Sequence, residues 1–235
     1  IDNYNFTHLV MSCDISEKKF LKLAYHLSNI STSWRHLDFD CQISTSGIRM
    51  LTELFCNLPG LTELEIKNSQ MDDKGVEALA NDLPASTITH LKINNNKISN
   101  IGIKTLSNCL PKIFTLKRMD ISKNNIGQEG LKALADALPQ SVIKELILIG
   151  CSLGDDEMIL LARALPKCST LETLNLTQNK IGNIGAVALA EALPKACALS
   201  LLNLNHNAIK VDGTVALAAA LSKAPLLTSF DLSHN

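Results

Sequence analysis

The feature that most constrains this chain is a phrase that recurs every 27 or 28 residues. The phrase is LxxLxLxxN, clearest in LETLNLTQN from Leu171, and its first apolar position falls at residues 6, 34, 61, 88, 116, 143, 171, 199 and 227. A constant period of this length indicates stacked units, each of which buries its apolar face only against its neighbours. The sequence therefore predicts one solenoid domain over residues 1–235, with about eight full repeats and a partial ninth.

Each unit divides into a strand and a helix. Polar and apolar residues alternate across 173–177, and alternation with period two indicates a short strand with one polar face. The segment 185–193 instead places Val187, Leu189, Ala190 and Leu193 on one helical stripe. A glycine recurs near the start of this helix and a proline at its end, where a helix interior cannot continue.

The two halves have different widths, and this difference predicts the shape. Strands in a sheet lie about 4.8 Å apart, whereas packed helices need about 8–10 Å. A layer of strands joined residue by residue to a layer of helices must therefore bend with the helices outside. We predict an α/β horseshoe with a parallel sheet on its concave face and helices on its convex face.

A column of asparagines stands between strand and helix, at Asn96, Asn124, Asn179, Asn207 and Asn235. An inward-facing amide can pair with backbone groups of its own turn and of the neighbouring turn that neither strand nor helix reaches. We expect these side chains to join successive repeats.

The extended phrase LxxLxLxxN-x-I-xxxG-xxx-LA-xAL resembles the ribonuclease-inhibitor type of leucine-rich repeat, and the resemblance covers residues 6–235. Proteins of this type include ribonuclease inhibitor, the sensor ends of nucleotide-binding receptors of innate immunity, the GTPase activator of Ran and some bacterial effectors. The resemblance implies a cytosolic scaffold that binds a protein partner through its concave face. It suits the sensor or autoinhibitory part of a multidomain receptor, or an effector.

Charge and composition narrow the range of partners. The formal net charge is −1, which does not favour nucleic acid or an anionic membrane, and the longest apolar run is VALAAAL at 215–221, too short to span a bilayer. The seven cysteines lack the spacing of a zinc site and predict small buried residues in a reducing compartment. We therefore predict a cytoplasmic protein that binds neither a cofactor nor a small-molecule substrate. The final strand lacks its helix and no polar cap precedes the first, so we expect a fragment of a longer protein.

Strand residues that point away from the core form the candidate partner-binding surface, because their identity is free to serve recognition. We distinguish an acidic zone, a basic band, an exposed apolar pair that could be an interface centre, and other polar positions. The alternative for the apolar pair is that the two isoleucines suit a strand and pack under a long neighbour. The acidic zone contains Asp38, Asp40, Glu63 and Glu65, and the basic band contains Lys67, His90, Lys92 and Arg118. The apolar pair is Ile147 and Ile149, and the other polar positions are Asp120, Asn175 and Asn203.

Metal binding and catalysis find less support. His8, His36, Asp38 and Asp40 share one face of two neighbouring strands, but a solvated polar surface is the favoured interpretation, and we predict no metal site. His26, His206 and His234 are expected to be isolated and exposed.

No nucleophile, phosphate-binding or metalloprotease motif is present, so we predict no enzymatic activity. The alternative is a GTPase-activating protein of the Ran activator type, in which Arg118 and Asn175 would act in trans at a bound nucleotide.

Overall fold

The computed structural model describes residues 7–12, 19, 22–23, 34–53 and 58–235. Four residues that the sequence predictions include lie outside these ranges: Phe6, which begins the first repeat, His26, Cys13 and Cys56. All statements below concern the described residues.

Nine strands form one parallel sheet, and their order in space is their order in the chain. Each strand pairs with the next without a gap in register; for example, Glu63 stands beside His90, and His90 beside Arg118. The strands are β1 His8–Met11, β2 His36–Asp40, β3 Glu63–Lys67, β4 His90–Lys92, β5 Arg118–Asp120, β6 Glu145–Ile147, β7 Thr173–Asn175, β8 Leu201–Asn203 and β9 Ser229–Asp231.

A helix follows each strand from β2 to β8, and each helix packs against the next. These helices are α1 Thr45–Glu53, α2 Asp73–Asp82, α3 Asn100–Cys109, α4 Gly127–Ala137, α5 Asp155–Ala164, α6 Asn183–Ala192 and α7 Val211–Leu221. Helices α2 to α6 each end in a three-residue 3₁₀ turn whose second residue is proline. The predicted α/β solenoid, with its parallel sheet and its layer of helices, is confirmed.

The core lies between the two layers and is continuous along the solenoid. In β7 and α6 it is filled by Leu174, Ala186 and Leu189, all fully buried. The prediction that Val187 also faces the core is wrong, since its side chain is 37 % exposed. The residues 186, 189, 190 and 193 follow the i, i+3, i+4, i+7 spacing of one helix face, and residue 187 lies about 100° away from that face.

The asparagine column joins successive repeats as predicted. The Asn179 Oδ1 accepts hydrogen bonds from the amides of Cys151 and Leu153 in the preceding repeat, at 3.0 and 3.1 Å. Its Nδ2 donates to the carbonyl oxygens of Leu148, at 2.8 Å, and Leu176, at 2.9 Å. Asn96, Asn124, Asn207 and Asn235 repeat this pattern one unit apart.

The cysteines depart from the prediction at one position. Cys41, Cys109, Cys151 and Cys168 are buried, but Cys197 is exposed, so it does not belong to the core. Burial raises the pKa of the Cys109, Cys151 and Cys168 thiols to about 11. Within the described ranges, every helix is too short or too polar to cross a lipid bilayer.

Candidate recognition surface on the concave wall

The concave wall consists of the strand side chains that point away from the helices. Because the strands pair in register, equivalent residues line up in columns that cross the sheet. The middle column passes from Asp38 through Glu65, Lys92 and Asp120 to Ile147, and Asn175 and Asn203 continue it. Adjacent members are about 4.8 Å apart at the backbone, so their side chains are close neighbours.

The acidic zone and the basic band interlock to form one ion-pair network. The Lys67 Nζ donates to Asp38 Oδ2 at 2.9 Å and lies 3.5 Å from Glu65 Oε2, while Lys92 donates to Glu65 Oε1. Asp38 and Glu65 are each only 7 % exposed. The two zones predicted as separate surfaces are therefore partly neutralised where they meet.

The network also controls the ionisation of its central carboxylate. Burial acts to raise the pKa of Glu65, but the hydrogen bond from Lys92 and the positive charges of Lys92 and Lys67 outweigh it, so the pKa lies below its usual value. The hydrogen bond to Asp38 raises the pKa of Lys67 against the opposing effect of burial. These groups therefore stay charged although they are partly removed from water.

The structure brings together a different set of potential metal ligands from the one considered in the sequence. His36, Asp38 and Glu65 each offer a ligand atom within 4.8 Å of the others. Asp40 instead accepts a hydrogen bond from Asn68 at 2.6 Å, and His8 is exposed with its ring centroid 5.6 Å from that of His36. The sequence prediction did not group Glu65 with His36 as a metal ligand, because Glu65 lies on the next strand, two residues beyond the direct neighbour of His36.

The centre of the wall is also paired. Arg118 donates to Glu145 in the next strand, and both side chains are about one-third exposed. Asp120 accepts a hydrogen bond of 3.0 Å from the amide of Ser122, and the His90 Nδ1 lies 2.8 Å from Thr89 Oγ1. The side chains of this region are therefore fixed by their neighbours.

The prediction of an exposed isoleucine pair is wrong. Ile147 is 7 % exposed and Ile149 is half-buried. In the sheet Ile147 stands directly between Asp120 and Asn175, and neighbours at this spacing cover it on both sides. The structure thus favours the alternative interpretation, in which these residues pack within the wall.

Beyond the isoleucines the wall is polar and mostly uncharged. The Asn175 Oδ1 accepts from the Thr177 amide at 3.0 Å, and Thr177 Oγ1 lies 2.9 Å from Asn203 Oδ1. At the adjoining turns the rings of His206 and His234 stack with centroids 4.3 Å apart, so they are not isolated. Their separation of 28 residues, one repeat, was the sequence signal for this contact.

A parallel sheet on one side, a helix per unit on the other and an asparagine column between them define a leucine-rich-repeat solenoid. Four segments of the sequence, residues 59–80, 85–107, 112–135 and 167–190, match the family described as Leucine Rich repeat. No curated protein matches the sequence significantly.

Solved structures share this fold at low sequence identity. An internalin from Listeria monocytogenes is 20 % identical with a TM-score of 0.56, and the match covers 89 % of this chain and 57 % of the internalin structure. A protein from Bacteroides fragilis is 13 % identical with a TM-score of 0.61, over 94 % of this chain and 62 % of that protein. The chain therefore spans less than two thirds of either structure, and the likeness concerns the fold alone.

Proposed function

We propose that this protein is a recognition scaffold without enzymatic activity, which binds a protein partner through its concave wall. The observation that carries the proposal is the set of ion pairs on β2 to β6, which consists of the network of β2 to β4 and the Arg118–Glu145 pair. Its charged side chains are not needed to fill the core, yet hydrogen bonds hold them in fixed positions. A surface whose charges are already ordered loses little conformational entropy when a partner of complementary charge binds.

The binding surface proposed here contains the charged wall, the polar region beyond it and the partly accessible isoleucine. Ile147 is left out because it is buried and uncharged, whereas Asp38 and Glu65, which are equally buried, are kept for their charge. The proposed contacts are Asp38, Asp40, Glu63, Glu65, Lys67, His90, Lys92, Arg118, Asp120, Ile149, Asn175 and Asn203.

We further propose the ribonuclease-inhibitor type of repeat and a location in the cytoplasm. A helix of nine to eleven residues follows each strand from β2 to β8, which supports the repeat type. In the described ranges Cys109, Cys151, Cys168 and Cys197 are free thiols, which supports a reducing compartment. A wall of this kind suits a sensor, an autoinhibitory or an effector role.

An affinity capture tests the proposal with matched variants. Asn203→Arg adds a long side chain to the wall, and Glu191→Arg adds the same side chain to the exposed face of α6. Arg118→Ala and Lys104→Ala remove a cation from the wall and from the exposed face of α3. The partner should be a protein that wild type, Glu191→Arg and Lys104→Ala retain from a cell lysate, and that Asn203→Arg and Arg118→Ala lose.

The captured protein should then bind the purified chain in calorimetry with the same dependence on the variants. Binding that the convex variants weaken, or that both wall variants leave unchanged, contradicts the proposed surface. In a parallel assay we expect GTP hydrolysis by a panel of small GTPases to be unaffected by this chain. Acceleration that Arg118→Ala abolishes would favour the GTPase-activator alternative instead.

A further inference from the structure

Three buried polar atoms on the concave wall have no hydrogen-bond partner among the described residues: Arg118 Nε and two atoms of residues that lie close together on β2. The two on β2 are the Oδ1 of Asp38 and the Nε2 of His36. Asp38 is only 7 % exposed, and a buried carboxylate oxygen without a partner costs free energy unless a ligand or a water occupies its lone pairs. These atoms are therefore available to a ligand.

The chemistry of the surrounding atoms suits a cation. His36 Nε2 lies 3.5 Å from Glu65 Oε1, and His36 Nδ1 lies 3.4 Å from Glu63 Oε2. The carboxylates of Asp38 and Glu65 pair with the ammonium groups of Lys67 and Lys92, and Glu63, beside His36, adds one further negative charge. A neutral imidazole with carboxylates is a ligand set that binds zinc and its neighbours among the transition metals.

We propose that His36, Asp38 and Glu65 bind a divalent transition-metal ion of the zinc class. The ligand atoms of these residues lie within 4.8 Å of one another. Bonds of about 2.1 Å at tetrahedral angles separate two ligands by about 3.4 Å, and the 3.5 Å between His36 Nε2 and Glu65 Oε1 is already close to this value. The Asp38 carboxylate, within 4.8 Å of the other two, would move closer to them to complete the set.

The two lysines shape the affinity of this site. Lys67 uses Asp38 Oδ2 and leaves Oδ1 free, so it can remain in place when the ion binds. Lys92 donates to Glu65 Oε1 and must share or release that oxygen. The ion therefore binds in competition with the Lys92 ammonium group. Three protein ligands leave a fourth coordination position, which water or a donor group of a binding partner can fill.

Titration of the untagged full chain with Zn²⁺ and Co²⁺ tests the site. We expect wild type to bind one ion at this site, to show the absorption spectrum of four-coordinate Co²⁺, and to gain thermal stability with added Zn²⁺. His36→Gln and Asp38→Asn should each lower the affinity at least tenfold and abolish the Zn²⁺-dependent shift in Tm. Thermal melting in EDTA shows whether the metal-free variants are folded. If His36→Gln is not folded, the isosteric Asp38→Asn variant still tests the site.

Two control histidines and one lysine distinguish this site from adventitious binding. His90→Gln, on the same wall, and His206→Gln, at the stacked turn pair, should bind as wild type does. Lys92→Met should bind at least several-fold more tightly, because it frees Glu65 and removes a positive charge. The proposal is overturned if wild type binds no ion, or if His36→Gln and Asp38→Asn bind it as tightly as wild type. It is also overturned if His206→Gln loses the binding or if Lys92→Met weakens it. A water molecule would then account for the unpaired atoms.

Discussion

The Asp155 Oδ1 accepts a hydrogen bond of 2.8 Å from the backbone amide of Gly185, one repeat further along the chain. The same oxygen accepts from the amide of Gly182 at 2.7 Å. Asp155 is the first residue of α5, and these two amides stand at the start of α6, where a helix has no internal acceptors. One helix thus caps the next.

The same cap recurs elsewhere in the solenoid. Asp73 of α2 accepts from the amides of Ser99 and Gly102 at 2.8 and 3.0 Å. Asn183 of α6 accepts from Lys210 and Gly213 at 2.9 and 3.0 Å. The caps therefore add to the asparagine column a second set of polar links between repeats, on the convex side.

Replacement of Asp155 tests this cap. Asp155→Ala should lower the free energy of unfolding by about 1 kcal/mol, the usual cost of a lost N-cap acceptor. Asp155→Asn should retain most of the stability, since an asparagine performs the same role at position 183. Urea denaturation measures both, with Asp156→Ala at the exposed neighbouring position as the control. Equal losses in the alanine and asparagine variants would contradict the cap.

Gly185→Ala should destabilise the protein, although alanine normally stabilises a helix by up to about 1 kcal/mol relative to glycine. A Cβ at this position would lie 2.8 Å from Asp155 Oδ1, 2.9 Å from Met158 Cβ and 3.0 Å from Ile181 Cγ2. The close approach of the capping carboxylate therefore requires a glycine. The thermal melting temperature reports the sign, and an increase would show that the neighbouring helix can move aside.

Asn179→Ala should be among the most destabilising substitutions on the polar side of the repeats. It would leave the amides of Cys151 and Leu153 and the carbonyl of Leu148 without their partner. Buried unpaired groups cost about 1–3 kcal/mol each, so we expect a loss on the order of 3 kcal/mol or more. Urea midpoints provide the measurement. Lys180→Ala, at the exposed adjacent position, should change stability by less than about 0.5 kcal/mol.

The cysteines should differ in their reactivity with iodoacetamide. Cys197 is exposed and should be alkylated in the native protein, whereas Cys109, Cys151 and Cys168 are buried and should react only on unfolding. Peptide mapping by mass spectrometry after a short exposure at pH 8 reads each site separately. Rapid alkylation of Cys151 in the native protein would show that the core around the asparagine column opens.

The raised pKa of these three thiols also predicts an alkaline limit to stability. Their pKa is about 11 in the folded protein against the ordinary 9.0, so the folded state retains protons that the unfolded chain loses. The stabilisation is complete below about pH 9 and is lost as the pH rises towards 11. Urea midpoints across this interval should fall, and Cys151→Ala should lessen the fall.

Sequence and structure agree most closely where a position repeats. The column of glycines is visible in the sequence, but the cause of Gly102, Gly185 and Gly213 is not, because the capping oxygen comes from a residue about 30 positions earlier. Glu157 shows this dependence. It stands in α5 at the position of the recurring glycine. The preceding helix begins with Gly127, which has no side chain and so cannot supply a capping oxygen. Glu157 supplies one instead, and accepts a hydrogen bond from the Gly154 amide at 2.9 Å.

The candidate site was less predictable than the fold. Alternation along a strand correctly indicates which face a side chain occupies, but it carries no information about what lies beside that side chain. Ile147 was expected to be exposed and is buried between its neighbours, whereas Glu65 was assigned to an acidic zone and is paired with two lysines. Each of these outcomes depends on residues one repeat away.

The repeating unit, the parallel order of the strands, the layer of helices and the inward asparagines could all be predicted from the sequence. Each follows from a pattern that is present in every repeat and from the constant spacing of the repeats. The tertiary structure alone decided which charges pair, which wall residues lose contact with water, and how His36, Asp38 and Glu65 meet. These properties arise from contacts across the 27 or 28 residues of a repeat, where strands about 4.8 Å apart bring side chains together that the linear pattern separates.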